Sequence, residues 1–318
     1  MLTYILFIVG FVSLIKGAGM LVDGSSSLAR RFNVPSLVIG LTIVAFGTSA
    51  PEFIVNLTAS FQGNTDIAIG NILGSNIANI LLILGISALI YPVTAQKSTA
   101  WKEIPFSLLA ALAVGALAND ALIDGGSFSA LSRIDGLILL GFFVVFLYYI
   151  ASLAKAGKLE KEEEEKSFGV GKSIAYIILG LMALVIGGKW IVDGAVSVAQ
   201  AMGISQSLIA LTIVAVGTSL PELATSVVAA YKKESDIAIG NVVGSNIFNI
   251  FLILGTSSVI RPLPFSPESV VDILMTIGAS VVLFSFLFIG KKMVVQRWQG
   301  AIMILIYVAY VVFLIMRG

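Results

Sequence analysis

Gly47-Thr-Ser-Ala-Pro-Glu52 decides the fold, because the chain carries the same pattern again as Gly217-Thr-Ser-Leu-Pro-Glu222. The likeness extends outward. Leu41–Gly85 aligns with Leu211–Gly255 at a constant offset of 170, without gaps, and 27 of the 45 positions are identical. Asp66-Ile-Ala-Ile-Gly-Asn71 returns as Asp236-Ile-Ala-Ile-Gly-Asn241, and Gly74-Ser-Asn-Ile77 as Gly244-Ser-Asn-Ile247. Internal self-similarity of this kind marks a repeated structural unit.

The surrounding chain is apolar. Of 318 residues, 58% are hydrophobic and 12% charged, with a mean hydropathy of +1.03. A soluble domain carries about 25% charged residues. Net charge is +1, which points to no nucleic-acid partner. Cysteine and histidine are absent, so disulfides, thiolate sites and imidazole chemistry are excluded. The oxygens that remain suit hard cations. No cofactor motif or nucleophile–base pair appears, so an enzyme is not expected. The apolar N-terminus from Leu2 has no basic flank and reads as a retained membrane helix.

A helix needs about 20 apolar residues to cross a bilayer. Such windows fall near 2–23, 36–61, 66–90, 104–119, 134–153, 171–193, 205–230, 236–259, 269–289 and 299–316. The expected fold is an all-α polytopic membrane protein of ten transmembrane helices. Alternate gaps hold Arg30, Arg31, Lys97, Lys102, Lys155, Lys158, Lys161, Lys166, Lys172, Lys232, Lys233, Lys291, Lys292 and Arg297, whereas the others hold only Arg133, Arg261 and Arg317. The positive-inside rule then places both termini outside and the central loop in the cytoplasm of a multi-pass cell-membrane protein. Five spans separate the two copies of the repeat, so the second enters the membrane inverted. The expected organisation is one transporter domain, 1–318, made of a five-helix repeat over 1–153, a charged linker over 154–170 and a second repeat over 171–318.

The motifs fall at mid-span. Glu52 and Glu222 are ionisable there, and such residues usually face a cavity or a partner. Pro51 and Pro221, with Gly47 and Gly217, should break helices two and seven near the midplane. That break predicts freed carbonyls near Ala45 and Ala215. Thr48 lies one turn from Glu52, as Ser75 lies one turn from Asn79 and Ser245 from Asn249. The expected inward set is Thr48, Ser49, Glu52, Ser75 and Asn79, mirrored by Thr218, Ser219, Glu222, Ser245 and Asn249. Its two carboxylates balance one divalent or two monovalent cations. Ser49…Glu52 and Ser219…Glu222 also spell helix capping boxes, which can coexist with ion binding. Asn71 and Asn241 read as structural hydrogen-bonders. Gly70, Gly74, Gly85 and their counterparts Gly240, Gly244 and Gly255 read as packing positions.

These paired segments resemble the α-repeats of the cation/Ca²⁺ exchanger superfamily, in its prokaryotic sodium/calcium exchanger branch. The proton/calcium branch carries Asn-Ala-Thr-Glu in place of Thr-Ser-x-Pro-Glu. The resemblance implies electrogenic antiport of Na⁺ against Ca²⁺ by alternating access, with spans one and six sliding. It implies Ca²⁺ at Glu52, Glu222, Thr48 and Thr218. It assigns Na⁺ to Ser49, Ser75, Ser219, Ser245 and the carbonyls of Ala45 and Ala215, with Asn79 and Asn249 completing the centre. Some relatives carry Asp where Asn249 stands; two asparagines argue against K⁺ cotransport. The large cytoplasmic calcium-binding domains of animal exchangers have no counterpart here, nor should their regulation. The partners implied are the two ions and the lipid bilayer, with no obligate protein partner. A proton- or other cation-coupled divalent antiporter is the nearest alternative, and a passive cation channel a more distant one.

Overall fold

The computed structural model describes residues 2–123, 125, 128–156, 168–201 and 215–317. The central part of the expected linker, 157–167, and the first half of the expected seventh span, 205–214, lie outside the described residues. Among those described, eight helices are long and apolar enough to cross a membrane, and one bent pair makes a ninth.

In chain order the helices are α1 (Leu2–Phe32), α2 (Ser36–Thr48), α3 (Ala50–Gln62), α4 (Thr65–Ile90), α5 (Thr99–Leu117), α6 (Arg133–Ala156) and α7 (Val170–Ala201). They continue as α8 (Ala215–Thr218), α9 (Leu220–Tyr231), α10 (Ser235–Ile260), α11 (Pro267–Phe286) and α12 (Arg297–Arg317). Four two-residue strands join them in pairs. Val93–Thr94, between α4 and α5, pairs antiparallel with Val294–Val295, between α11 and α12. Ala130–Leu131, between α5 and α6, pairs antiparallel with Leu263–Pro264, which follows α10. The α4–α5 connection is thus tied to the α11–α12 connection, and the α5–α6 connection to the segment that follows α10.

Helices α4 and α10 form the centre. In their most apolar windows 78% and 94% of residues are buried, against 22–39% in the other long helices. These two helices carry Asn71, Ser75, Asn76 and Asn79 and their counterparts Asn241, Ser245, Asn246 and Asn249, polar side chains that an apolar surround cannot satisfy and that turn to the interior of the bundle. Close backbone approach makes this possible. A Cβ at Gly240 would meet the Gly40 backbone, one at Gly244 the Leu41 backbone, one at Gly255 the Gly136 backbone, and one at Gly85 the Gly300 carbonyl. The packing reading therefore holds at these four glycines. A Cβ at Gly70 or Gly74 meets no described atom within 4 Å.

The pair α1–α7 packs on a glycine seam. Gly10 faces Gly187, Gly17 faces Gly180, and Gly24 faces Ser173, so the helices run antiparallel. An added Cβ at any of these glycines would lie 2.7–2.9 Å from backbone of the opposite helix. Both helices are longer than their apolar windows suggested. Charge did not end them. Asp23 is paired with Lys232 at 2.6 Å. The last turns of α1 bury Ser25, Ser26 and Ser27, and Ser27 accepts the Phe168 N–H at 2.7 Å at the approach to α7.

Candidate cation site

The break expected in the first motif is present. α2 and α3 meet at 47° across Ser49, which has φ −80° and ψ 4°. Ser219 interrupts α8 and α9 with nearly the same angles, φ −86° and ψ 6°. Pro51 and Pro221 stand in the first turn of the restarted helices, where a missing N–H leaves no bond unmade. Two sequence readings need correcting here. Neither serine caps its helix with its side chain. The Ala45 carbonyl is not freed, because it accepts the Ser49 N–H at 3.0 Å. The proline's missing donor lies four residues beyond Gly47, not Ala45, so the bond to Ala45 survives. The Thr48 hydroxyl lies 3.3 Å from the same carbonyl oxygen as a second donor. Ala215 opens α8, at the edge of the described residues.

The serine hydroxyls instead cross between the halves. Ser49 Oγ donates to Glu222 Oε1 at 3.0 Å, and Ser219 Oγ donates to Glu52 Oε1 at 3.2 Å. Ser219 Oγ also lies 3.2 Å from Ser75 Oγ, so its one hydrogen serves one of two acceptors at a time. The threonines sit at the same carboxylates, Thr218 beside Glu52 and Thr48 beside Glu222. Thr48 Oγ1 donates to Asn241 Oδ1 at 3.0 Å, and Thr218 Oγ1 to Asn71 Oδ1 at 3.4 Å. Asn241 is anchored in turn on Ser226 at 2.9 Å, and Asn71 on Asn56 at 2.7 Å. The structural reading of Asn71 and Asn241 is thus realised as a support for the threonines.

Each central helix carries a π-helical turn, Ala78–Ile83 in α4 and Phe248–Leu254 in α10. Such turns occur often at functional sites. Asn79 and Asn249 occupy the second residue of each. Their amide nitrogens are engaged, Asn79 Nδ2 with Asn246 Oδ1 at 3.0 Å and Asn249 Nδ2 with Asn76 Oδ1 at 2.9 Å. Asn76 and Asn246 were not singled out from the sequence. Their signal was the doubled Gly-Ser-Asn-Ile, which was read only through its serine.

Five buried oxygens near these contacts accept no hydrogen bond: Glu52 Oε2, Glu222 Oε2, Asn79 Oδ1, Asn249 Oδ1 and Ser245 Oγ. Buried polar atoms are normally bonded, so paired exceptions at equivalent positions call for a cause. Both glutamates are about 1% exposed and interact electrostatically. Among the described residues no three His, Cys, Asp or Glu side chains cluster. A cation held here therefore takes most of its ligands from hydroxyl, amide and carbonyl oxygens, the ligand class of hard ions. The residues present fit Ca²⁺ or Na⁺ as cargo.

Comparison with known proteins agrees. The sodium/calcium exchanger protein family profile matches residues 2–151 and 172–316. The putative antiporter CaxA of Alkalimonas amylolytica is 38% identical, over 96% of each chain. Sodium/calcium exchanger MaX1 of Methanosarcina acetivorans is 32% identical, over 98% of each. A solved structure of the sodium-calcium exchanger NCX_Mj superposes with a TM-score of 0.84 at 35% identity, over 98% of each chain. The chain is a multi-pass membrane protein and belongs to the sodium/calcium exchanger family.

Proposed function

We propose that this protein exchanges Na⁺ for Ca²⁺ by alternating access, with the ions competing for a site centred on Glu52 and Glu222. The observation that carries the proposal is the set of unbonded acceptors. Glu52 Oε2, Glu222 Oε2, Asn79 Oδ1 and Asn249 Oδ1 are two equivalent pairs at an offset of 170. A desolvated oxygen without a donor costs about 1–3 kcal/mol, more if charged. A cation removes that cost at all four positions together.

Charge then enforces exchange. Two carboxylates present −2, which one Ca²⁺ or two Na⁺ neutralise. A buried uncompensated pair is strongly disfavoured. A site emptied of one ion is thus stable only when filled by the other, which suppresses crossing without cargo.

The architecture we infer is ten helices in two inverted five-helix repeats, 1–153 and 171–318, joined by a cytoplasmic linker over 154–170. Helices two and seven break at the midplane, and both termini lie outside. The crossed strand pairs, the crossed serine–glutamate bonds and the antiparallel α1–α7 seam support an inverted relation. The same seam supports α1 and α7 as the moving pair, because glycine-lined faces lack interlocking side chains. Leu181 and Val192, both on α7, lie against Gly47 and Gly217, the first residue of each motif. A shift of α7 along its axis therefore reaches both motifs at once.

The test is ⁴⁵Ca²⁺ uptake into proteoliposomes under separate Na⁺, K⁺ and pH gradients. Uptake driven by an outward Na⁺ gradient alone is expected. Uptake driven only by a pH gradient would assign the coupling to protons. Flux that persists with no counter-ion gradient would make the protein a channel.

A further inference from the structure

Asn76 and Asn246 touch each other rather than any of the unbonded oxygens. Asn76 Nδ2 donates to the main-chain carbonyl of Asn246 at 3.3 Å, and Asn246 Nδ2 donates to the main-chain carbonyl of Asn76 at 3.4 Å. All four asparagines, 76, 79, 246 and 249, are at most 1% exposed. Water therefore does not compete for these groups.

The chemistry of the amide makes this arrangement directional. A side-chain amide has one accepting end and one donating end, and a half-turn about χ2 exchanges them. A main-chain carbonyl can only accept. The end of Asn246 that faces the Asn76 carbonyl must therefore be its nitrogen, which turns Asn246 Oδ1 toward Asn79. That oxygen in turn requires the nitrogen of Asn79, bonded at 3.0 Å. The oxygen of Asn79 is left as the outward end, and it is one of the unbonded atoms. The same chain of constraints runs from the Asn246 carbonyl through Asn76 to Asn249.

We infer that Asn76 and Asn246 are positioning residues that lock the amides of Asn79 and Asn249 with their oxygens toward the transported cation. The inference rests on the cation site proposed above and extends it to residues that touch no ion. Without the lock either amide is free to turn its N–H₂ toward the cation, which repels it. The control is crossed: Asn246 governs Asn79, and Asn76 governs Asn249. Removing the Asn246 side chain leaves the Asn76 bond to the Asn246 main chain intact, so Asn249 keeps its orientation.

A double-mutant cycle separates this role from a general packing role, because coupling energies isolate pairs that act as a unit. The readout is half-saturating Ca²⁺ for Na⁺-gradient-driven uptake in proteoliposomes, with detergent melting temperature as a folding check. Asn246→Leu is expected to raise half-saturation about tenfold, the equivalent of one well-oriented ligand. Asn79→Ala/Asn246→Leu should then lie within about twofold of Asn79→Ala alone, whereas Asn249→Ala/Asn246→Leu should show the product of its single effects. If Asn246→Leu does not reconstitute, Asn246→Ser enters the same cycle, and Asn76→Leu with Asn249→Ala repeats it on the other arm. Full multiplicative loss in Asn79→Ala/Asn246→Leu overturns the inference, as does wild-type uptake in Asn246→Leu when Asn79→Ala is defective. Wild-type uptake in Asn79→Ala is a different outcome, since it overturns the cation-site reading of Asn79 itself.

Discussion

Ser49 of the first repeat donates its hydroxyl to Glu222 of the second, and the contact is returned by Ser219 to Glu52. Neither half can therefore present its carboxylate in the observed geometry without the other. Ser49 and Ser219 also mark the helix breaks, so the backbone interruption and the carboxylate contact are one feature.

Ser49→Ala and Ser219→Ala should both weaken ion binding. A hydrogen bond to a charged acceptor contributes about 1.5–3 kcal/mol, so half-saturating Na⁺ and Ca²⁺ should rise by roughly 10- to 150-fold. The two effects are expected to be of similar size, because the one Ser219 hydrogen serves either Glu52 or Ser75 at a time. Concentration dependence of ⁴⁵Ca²⁺ uptake checks both. A neutral Ser49→Ala would contradict the crossed arrangement.

The glycine seam should tolerate no methyl group. A Cβ at Gly180 would lie 2.7 Å from the Leu21 nitrogen and 2.8 Å from the Gly17 carbonyl. These are backbone atoms, which yield only if the helices separate. Gly180→Ala should therefore cost about 1–3 kcal/mol by overpacking and should slow transport. Gly188→Ala is the control on the same helix, since a Cβ there meets no described atom within 4 Å. Melting temperature and initial uptake rate, measured in both variants, check the contrast.

Lys233→Gly should stabilise the protein. Lys233 has φ 64°, and its counterpart in the first repeat, Gly63, has φ 84°. A side chain in the left-handed region costs about 1–2 kcal/mol, partly offset by the greater chain entropy of glycine. The variant also loses a distant contact of Lys233 over the Tyr91 ring, at 5.7 Å from the ring centre. A net gain of about 0.5–1 kcal/mol is expected, seen as a raised melting temperature in detergent with transport unchanged.

Much of the molecule was legible in the sequence for definite physical reasons. Length and apolarity mark a bilayer span whatever its neighbours, so eight of the ten windows fall on long apolar helices and a ninth on the bent pair α2–α3, while the first half of the seventh lies outside the described residues. Proline and glycine act locally, so the break at Ser49 followed from Gly47 and Pro51 alone. The ends of α1 and α7 did not follow, because Asp23 and Ser27 find their partners far away in the chain, Lys232 and Phe168 among them. The capping box failed for the same reason. Sequence spacing offers Ser49 a nearby partner, and only the fold supplies a better one in Glu222. Asn76 was overlooked because helical spacing relates Ser75 to Asn79 and gives Asn76 no role on that face. Its partner, Asn246, lies 170 residues away.

The most direct test of the central claim is Na⁺-gradient-driven ⁴⁵Ca²⁺ uptake by purified Glu52→Gln and Glu222→Gln in proteoliposomes. Glutamine keeps the shape and one acceptor oxygen but removes the charge. The account predicts that each single substitution abolishes uptake, since one remaining carboxylate cannot balance Ca²⁺. Wild-type-like uptake in either variant would contradict it.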